Sequence, residues 1–387
     1  MLAGLPQSPA RNARELELRG AYVDVLSITR GFTVANAMAS LERIADLAES
    51  GGDIVQLIGA LYGNCIGAAI AGDLRMAALL ADRQLSLATR DGSPASLGNA
   101  HFSQFLTRLF RGDSVAAERH YALLEGHSDA EGFGIYSDTF ARAFGAVCGW
   151  TLGHSDLARR RMTVANACAA ASQSPFYVAL AVTTESFLHF LLRDPEHCEA
   201  TARAGLAIAA EHGFPQYTAQ AKIGPGGASV LRGQGAEDAK LLRQGIAELR
   251  QTGQLIGIPL FLTSQGEGQA LAGDTEGALA TFEEALALNP EELIWRPGTL
   301  LCRGELRLKL GWAELGEADI REAIALSRKM TASAYELRAT TRHARLLKAR
   351  GDMVAARDLL APIYARFTEG FDTTDLTEAR RLVEALA

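Results

Sequence analysis

The chain has 387 residues, of which 48% are hydrophobic and 21% charged, which provides for a large buried core and excludes disorder as its general state. Its net charge of −7 is spread without long single-sign blocks, which excludes a dedicated nucleic-acid surface. The five cysteines, Cys65, Cys148, Cys168, Cys198 and Cys302, form no C-x-x-C pair and sit among apolar neighbours. They read as reduced buried thiols of a cytoplasmic protein.

The first eleven residues, with Pro6 and Pro9, predict a flexible lead-in (1–11). They have neither the basic nor the apolar region of a signal peptide. From about Asn12 the apolar residues follow helical spacing, with no sustained strand alternation. The most membrane-like run, Leu57–Gly72, is short, contains Asn64 and is rich in Gly and Ala, so it predicts close helix packing and no membrane partner.

A turn then recurs. Its last residues are Asp73, Asp113, His154, Asp194, Gln234, Asp274 and Asp352, at intervals of 40, 41, 40, 40, 40 and 78. The last interval is two steps, with the missing turn inside Leu310–Ala318. One step before Asp73 lies Gly31–Phe32. Gly can take the left-handed conformation that ends a helix, and the following Asp can accept from the free N–H groups of the next one. Ser93-Pro94, Ser174-Pro175 and Asp194-Pro195 mark further helix starts. The pattern predicts an all-α, right-handed α-solenoid of about nine helical hairpins with a period near 40 residues. It is expected to span 12–370, with a C-terminal capping helix within 371–387.

The stretch "LAGDTEGALATFEEALALNP" identifies the repeat. Ala278, Phe282, Ala285 and Pro290 match the second-helix half of a tetratricopeptide (TPR) motif, and Gly266 fits the first half. The small position five residues after the turn Gly recurs as Ala77, Ala117, Ala158, Ala278 and Ala356. Hairpins of this kind bury their apolar faces only against neighbours, so stability is a sum over stacked repeats.

Signatures of chemistry are missing. The run Gly224, Pro225, Gly226, Gly227, followed by Ser229, has the glycines of a phosphate loop but no Gly-Lys and no preceding strand. It is expected to be a kinked helix near Ile223–Gly227, and a candidate hinge, rather than a nucleotide site. No H-E-x-x-H occurs, and "GHSDA" and "GHSDL" lack the final Gly of a nucleophile elbow. His189, Asp194, His197 and Cys198 lie about one turn, but without tight ligand spacing they read as turn residues and a buried thiol. No catalytic residue, metal or cofactor is therefore expected.

What remains is a surface. Solenoids of this type bind along a concave face lined by the first helix of each pair. The candidates there are Tyr136 and Arg142, Tyr177 and Glu185, Tyr217 and Gln220, Gln265 and Glu267, and Trp295 and Arg296, since aromatics with Arg are the mix of binding hot spots. The expected partner is a protein or peptide. The alternatives are a small-molecule sensor that closes round a metabolite and a residual nucleotide-binding enzyme. Nothing in the sequence sets an oligomeric state.

The C-terminal end carries a resemblance. "SAYELRATTRHARLLKARGD" (Ser333–Asp352) and "AARDLLAPIYARFTEGFDTTDLTEARRLVEAL" (Ala355–Leu386), with "FTEGFDTTDL" the most specific piece, resemble the C-terminal TPR-like region of bacterial multidomain signalling proteins. In those proteins an adenylate/guanylate cyclase or winged-helix module precedes an AAA-like ATPase. "ELELR" (Glu15–Arg19), "EHGFPQ" (Glu211–Gln216), "LLRQGIAELRQTGQLIGIPLFL" (Leu241–Leu262) and "RGELRLKLG" (Arg303–Gly311) are similar too. The resemblance implies a sensory or regulatory arm whose partner is a cyclase or ATPase module. No Walker motif or cyclase module is present in this chain, so no catalytic residue carries over.

Overall fold

The computed structural model describes residues 8–31, 33–127, 134–234 and 239–387, and among them nineteen helices and no strand. They pair as α1 (Pro9–Arg30) with α2 (Ala35–Gly51), α3 (Ile54–Ile70) with α4 (Leu74–Asp91), α5 (Pro94–Phe110) with α6 (Ser114–Glu125), and α7 (Ile135–Leu152) with α8 (Ser155–Ala171). Next come α9 (Pro175–Leu191) with α10 (Pro195–His212), α11 (Pro215–Leu231) with α12 (Ala239–Gln251), and α13 (Ile258–Leu271) with α14 (Thr275–Ala287). The last pairs are α15 (Arg296–Lys309) with α16 (Ala313–Lys329) and α17 (Ser333–Ala349) with α18 (Met353–Tyr364), before a single α19 (Thr374–Glu384). Helix α1 starts at Pro9, where the Ser8 hydroxyl accepts from the Arg11 amide at 3.2 Å, inside the stretch expected to be a lead-in. Residues 1–7 lie outside the described residues.

The forty-residue turn behaves as its chemistry requires. Gly72, Gly112, Gly153, Gly233, Gly273 and Gly351 all have positive φ, and the missing turn is closed by Gly311 at φ 83°. Arg193 takes the same conformation, φ 59°, without being Gly. Asp73, Asp113, Asp194, Asp274 and Asp352 each accept from the backbone N–H three residues on, at 2.9, 3.3, 3.2, 3.0 and 3.2 Å. His154 makes no such cap.

Odd-numbered helices from α3 to α19 touch the next odd-numbered helix, while the even-numbered ones pack outside them. The solenoid thus has an inner layer of first helices and an outer layer of second helices. Small residues set the spacing between layers: Ala77, Ala117, Ala158, Cys198, Ala278 and Ala356 are all 0% exposed. Phe282 is buried against Gly266, where a Cβ would lie 2.6 Å from its ring.

The Gly-Pro-Gly-Gly run is not a break. Helix α11 is continuous through Pro225, and Pro225, Gly226 and Gly227 are buried. The glycines serve close approach instead. A Cβ on Gly224 would stand 2.3 Å from that of Ala202 on α10, and one on Gly227 would stand 3.1 Å from the Phe190 ring on α9. A helix of this kind offers no free N–H cradle in its middle, so the phosphate-loop alternative has no structural basis.

The solenoid turns back onto itself about every five hairpins, bringing α11 to α1 and α17 to α7. The C-terminal carbonyls of the first-turn inner helices are then met by the second turn. Ile70 O accepts from the amides of Leu255 and Ile256 at 2.8 and 3.1 Å, and Phe110 O from that of Ile294 at 3.3 Å. Trp150 meets Tyr335 edge-on at 5.0 Å, and Leu191 O accepts from Arg338 at 2.8 Å. These contacts satisfy backbone acceptors that a helix end otherwise leaves free.

The C-terminal end is held twice. Leu376, Ala379, Leu382 and Leu386 cover Leu337, Leu360 and Ile363, while Asp156 accepts from the Gly370 amide at 3.1 Å. Removing residues 367–387 is expected to expose that apolar end and to shift the protein from monodisperse to aggregated in size-exclusion chromatography. A truncated chain of unchanged solubility and stability would contradict this cap.

Candidate functional site

The inner helices α3, α5, α7, α9, α11 and α13 surround an apolar cavity of about 100 Å3, closed on one side by the second superhelical turn. Its walls carry Phe102, Phe110, Phe140, Phe144, Phe187, Phe190 and Phe261, with Trp295 as part of the covering turn. Phe140 and Phe144 stack at 4.3 Å, and Phe187 meets Trp295 edge-on at 5.4 Å. No Asp, Glu, Lys, Arg or His lines it among the described residues.

The polar groups are few and mostly engaged. Gln254, on the turn before α13, accepts from Gln216 at 2.9 Å and Gln220 at 3.2 Å and donates to Ile256 O at 3.1 Å. Thr184 donates to Leu180 O at 2.8 Å, and Ser186 to Cys198 O at 2.8 Å. The Ser264 hydroxyl is buried and has no hydrogen-bond partner. A buried donor of this kind is costly unless something accepts from it.

The structure brings three of the ten sequence-predicted residues, Tyr217, Gln220 and Trp295, to this cavity. The others lie elsewhere. Arg142 spends its Nε on both carboxyl oxygens of Asp138 at 2.9 Å, and Arg296 donates to Leu286 O at 2.9 Å. Tyr177 packs half-buried edge-on to Phe176 at 5.6 Å. Glu185 accepts from Asn166 at 2.9 Å, and burial pushes its carboxyl above the ordinary range. Gln265 lines a separate cleft with Gln269 and Asp274. Glu267 is partly covered near Cys302, and burial raises its carboxyl too. Tyr136 belongs to α7, but its side chain lies outside the described residues. Sequence reasoning missed the Phe walls. Their signal was the i, i+4 pair Phe140/Phe144 and the i, i+3 pair Phe187/Phe190 on successive first helices.

Beside the cavity, Glu292 stitches the covering turn together. It is 3% exposed and accepts from the Gly257 amide at 2.8 Å and from Asn289 at 3.0 Å. Burial outweighs these donors and pushes its carboxyl up to about 7 from 4.5. A carboxyl with a raised folded value contributes stability that is complete below 4.5 and is lost as pH rises through about 7. The wild type is therefore expected to lose stability relative to Glu292→Gln between roughly pH 5 and pH 8, read by urea unfolding at each pH. Parallel profiles would show that Glu292 is not buried as described.

No helix among the described residues is long and apolar enough to cross a membrane. No protein-family model matches the sequence, and no curated protein matches it. The likeness lies in structure. A Rap protein complexed with Competence and Sporulation Factor superposes with a TM-score of 0.55 at 13% identity, over 85% of this chain and 97% of that one. A signal transduction ATPase with numerous domains and a tetratricopeptide repeat sensor, from Pyrococcus horikoshii, gives 0.45 at 12% identity, over 79% of this chain and 48% of that one. At these identities the likeness concerns the fold. The chain is an all-helical α-solenoid of TPR-like repeats, with an apolar cavity between its inner helices.

Proposed function

We propose that this chain is a non-catalytic TPR-like scaffold that binds a protein or peptide partner by taking an apolar anchor side chain into its lumen. The observation that carries this is the charge-free aromatic cavity framed by inner helices, with a buried Ser264 hydroxyl that has no partner. A cavity of about 100 Å3 has room for one bulky apolar side chain. The Gln216, Gln220 and Gln254 amides lie beside it, and amides can both donate to and accept from a peptide backbone. Buried anchors in desolvated pockets dominate such interfaces. The Rap protein of similar fold was seen complexed with Competence and Sporulation Factor, which supports a binding role for a scaffold of this fold. The C-terminal resemblance supports a regulatory arm whose partner is a cyclase or ATPase module.

The charge-free lining of the cavity and its cover by the second turn on one side favour one further reading, a receptor for a small uncharged apolar molecule. Selection of displayed peptides on the purified chain separates the two. Selected peptides are expected to share an apolar anchor residue and to bind at least ~10-fold more weakly to Ser264→Leu, which fills the lumen. No selected peptide, together with a thermal shift by small apolar compounds that Ser264→Leu abolishes, would replace the first reading by the second. Peptides that bind wild type and Ser264→Leu equally would remove the lumen from both.

A further inference from the structure

The turn between α9 and α10 is unlike the other turns. It places two histidines and a carboxylate at one point. His189 is in the last turn of α9, Asp194 caps α10, and His197 is in the first turn of α10. One donor atom from each of the three lies within 4.8 Å of the others. Asp194 Oδ2 is 2.8 Å from His197 Nδ1 and 3.6 Å from His189 Nδ1. The two rings stack at 5.1 Å, 24° apart. The sequence spacing H-x4-D-x2-H looked too loose for ligands. The left-handed residue Arg193 folds it tight by turning one helix end directly into the next.

Nothing in the repeat demands these histidines. The matching positions are Ala68 and Met76 around Asp73, Arg108 and Ala116 around Asp113, and Gln269 and Gly277 around Asp274. Nor does the packing account for His189. Its Nδ1 is buried and has no hydrogen-bond partner, because Asp194 Oδ2 is beyond hydrogen-bond range. Its Nε2 faces Glu185 Oε1 at 3.9 Å. A carboxylate behind a ligating imidazole is the usual way its tautomer is set and its basicity raised. Arg193, the nearest cation in sequence, points away to Asp375 and Glu378 at 3.1 and 3.0 Å.

We propose that His189 Nδ1, His197 Nδ1 and Asp194 Oδ2 bind one divalent transition-metal ion of the zinc class. Two imidazoles and one carboxylate suit Zn2+, Co2+ or Ni2+ and leave a fourth position for water. Around a tetrahedral ion with ligands at about 2.0–2.1 Å, donor atoms stand roughly 3.3 Å apart, close to the two separations already present. Asp194 keeps its capping role, since Oδ1 accepts from the His197 amide at 3.2 Å while Oδ2 turns to the site. Binding would replace the His197–Asp194 hydrogen bond and give the buried His189 nitrogen its missing partner. The ion would pin the turn from which Arg193 reaches α19, and so would tie the first superhelical turn to the second.

The test titrates Zn2+ into metal-free protein by calorimetry. One ion per chain is expected. His197→Ala, whose side chain is 69% exposed and whose loss leaves the fold intact, should weaken binding at least ~10-fold. Asp194→Asn, which can still cap the helix, should do the same. His212→Ala, an exposed control on the same helix, should change nothing. Co2+ in place of Zn2+ should give a visible absorption band in the wild type that His197→Ala abolishes. No ion bound by the wild type, or equal binding by wild type and His197→Ala, overturns the assignment. The second result would include an ion held instead by His101 and His120, whose Nδ1 atoms lie 3.1 Å apart.

Discussion

Phe282→Ala is expected to lower stability by about 3–5 kcal/mol, the cost of truncating a fully buried aromatic. The side chain is 1% exposed. It fills the space between α13 and α14 that Gly266 leaves empty, and packs with Ala278 and Leu306. The ring lies directly against Gly266, where a Cβ would stand 2.6 Å from it, so truncation leaves a gap at the closest approach of the two helices. In a solenoid the loss is felt first by the hairpins on either side, since each repeat packs most extensively on its sequence neighbours. Hydrogen exchange should therefore show α13–α16 opening before the rest, together with a lower urea midpoint. A near-neutral midpoint would show that Phe282 does not hold these helices together.

Asp375→Ala should cost a similar amount, about 3–5 kcal/mol, for a different reason. Asp375 accepts from Arg338 at 2.5 Å and from Arg193 at 3.1 Å, with 13% of its side chain exposed. Arg338 also donates to Leu191 O at 2.8 Å and lies over the Trp150 ring at 5.5 Å. Removing the carboxylate leaves Arg338 without its anionic partner in a largely desolvated place, while Arg193 keeps only Glu378 at 3.0 Å, and a buried charge without its partner is far worse than no pair at all. Burial works against the charged carboxylate here, but Arg338 and Arg193 outweigh it and hold Asp375 below its ordinary value of 3.8. The stability from this group is thus present above 3.8 and is lost as pH falls through the lowered value. The variant should lose the acid-side drop that the wild type shows. Because these residues lie about one superhelical turn apart in sequence, the variant should also loosen α17–α19 from α9 while leaving the local hairpins intact.

How much was legible depends on the range of each interaction. The turns were legible because Gly and Asp act on their own backbone: Gly112 must reach positive φ, and Asp113 must cap the helix beginning one residue later. Phe282 was legible because Gly266 and Ala278, against which it packs, sit in the same hairpin. The Gly224–Gly227 run was legible only as an irregularity, because Pro and Gly are ordinarily breakers, while the helix continues through them and their close neighbours, Ala202 and Phe190, lie across space. The first-helix aromatics were grouped by residue type rather than by direction. Arg142 and Arg296 therefore turned out to satisfy Asp138 and a backbone carbonyl, while the Phe walls went unnoticed.

By itself the sequence determined the helices, their hairpin pairing, the forty-residue period and the TPR-like packing, because each rests on residues a few positions apart. Only the tertiary structure decided how tightly the solenoid winds. That winding sets Gln254, Glu292 and Trp295 over the first turn, covers one side of the cavity and joins Arg193 to Asp375. Superhelical pitch is the sum of small rotations at every interface between neighbouring hairpins. No single residue encodes it, and contacts about 185 residues apart, such as Ile70 with Leu255, exist only once that sum is complete.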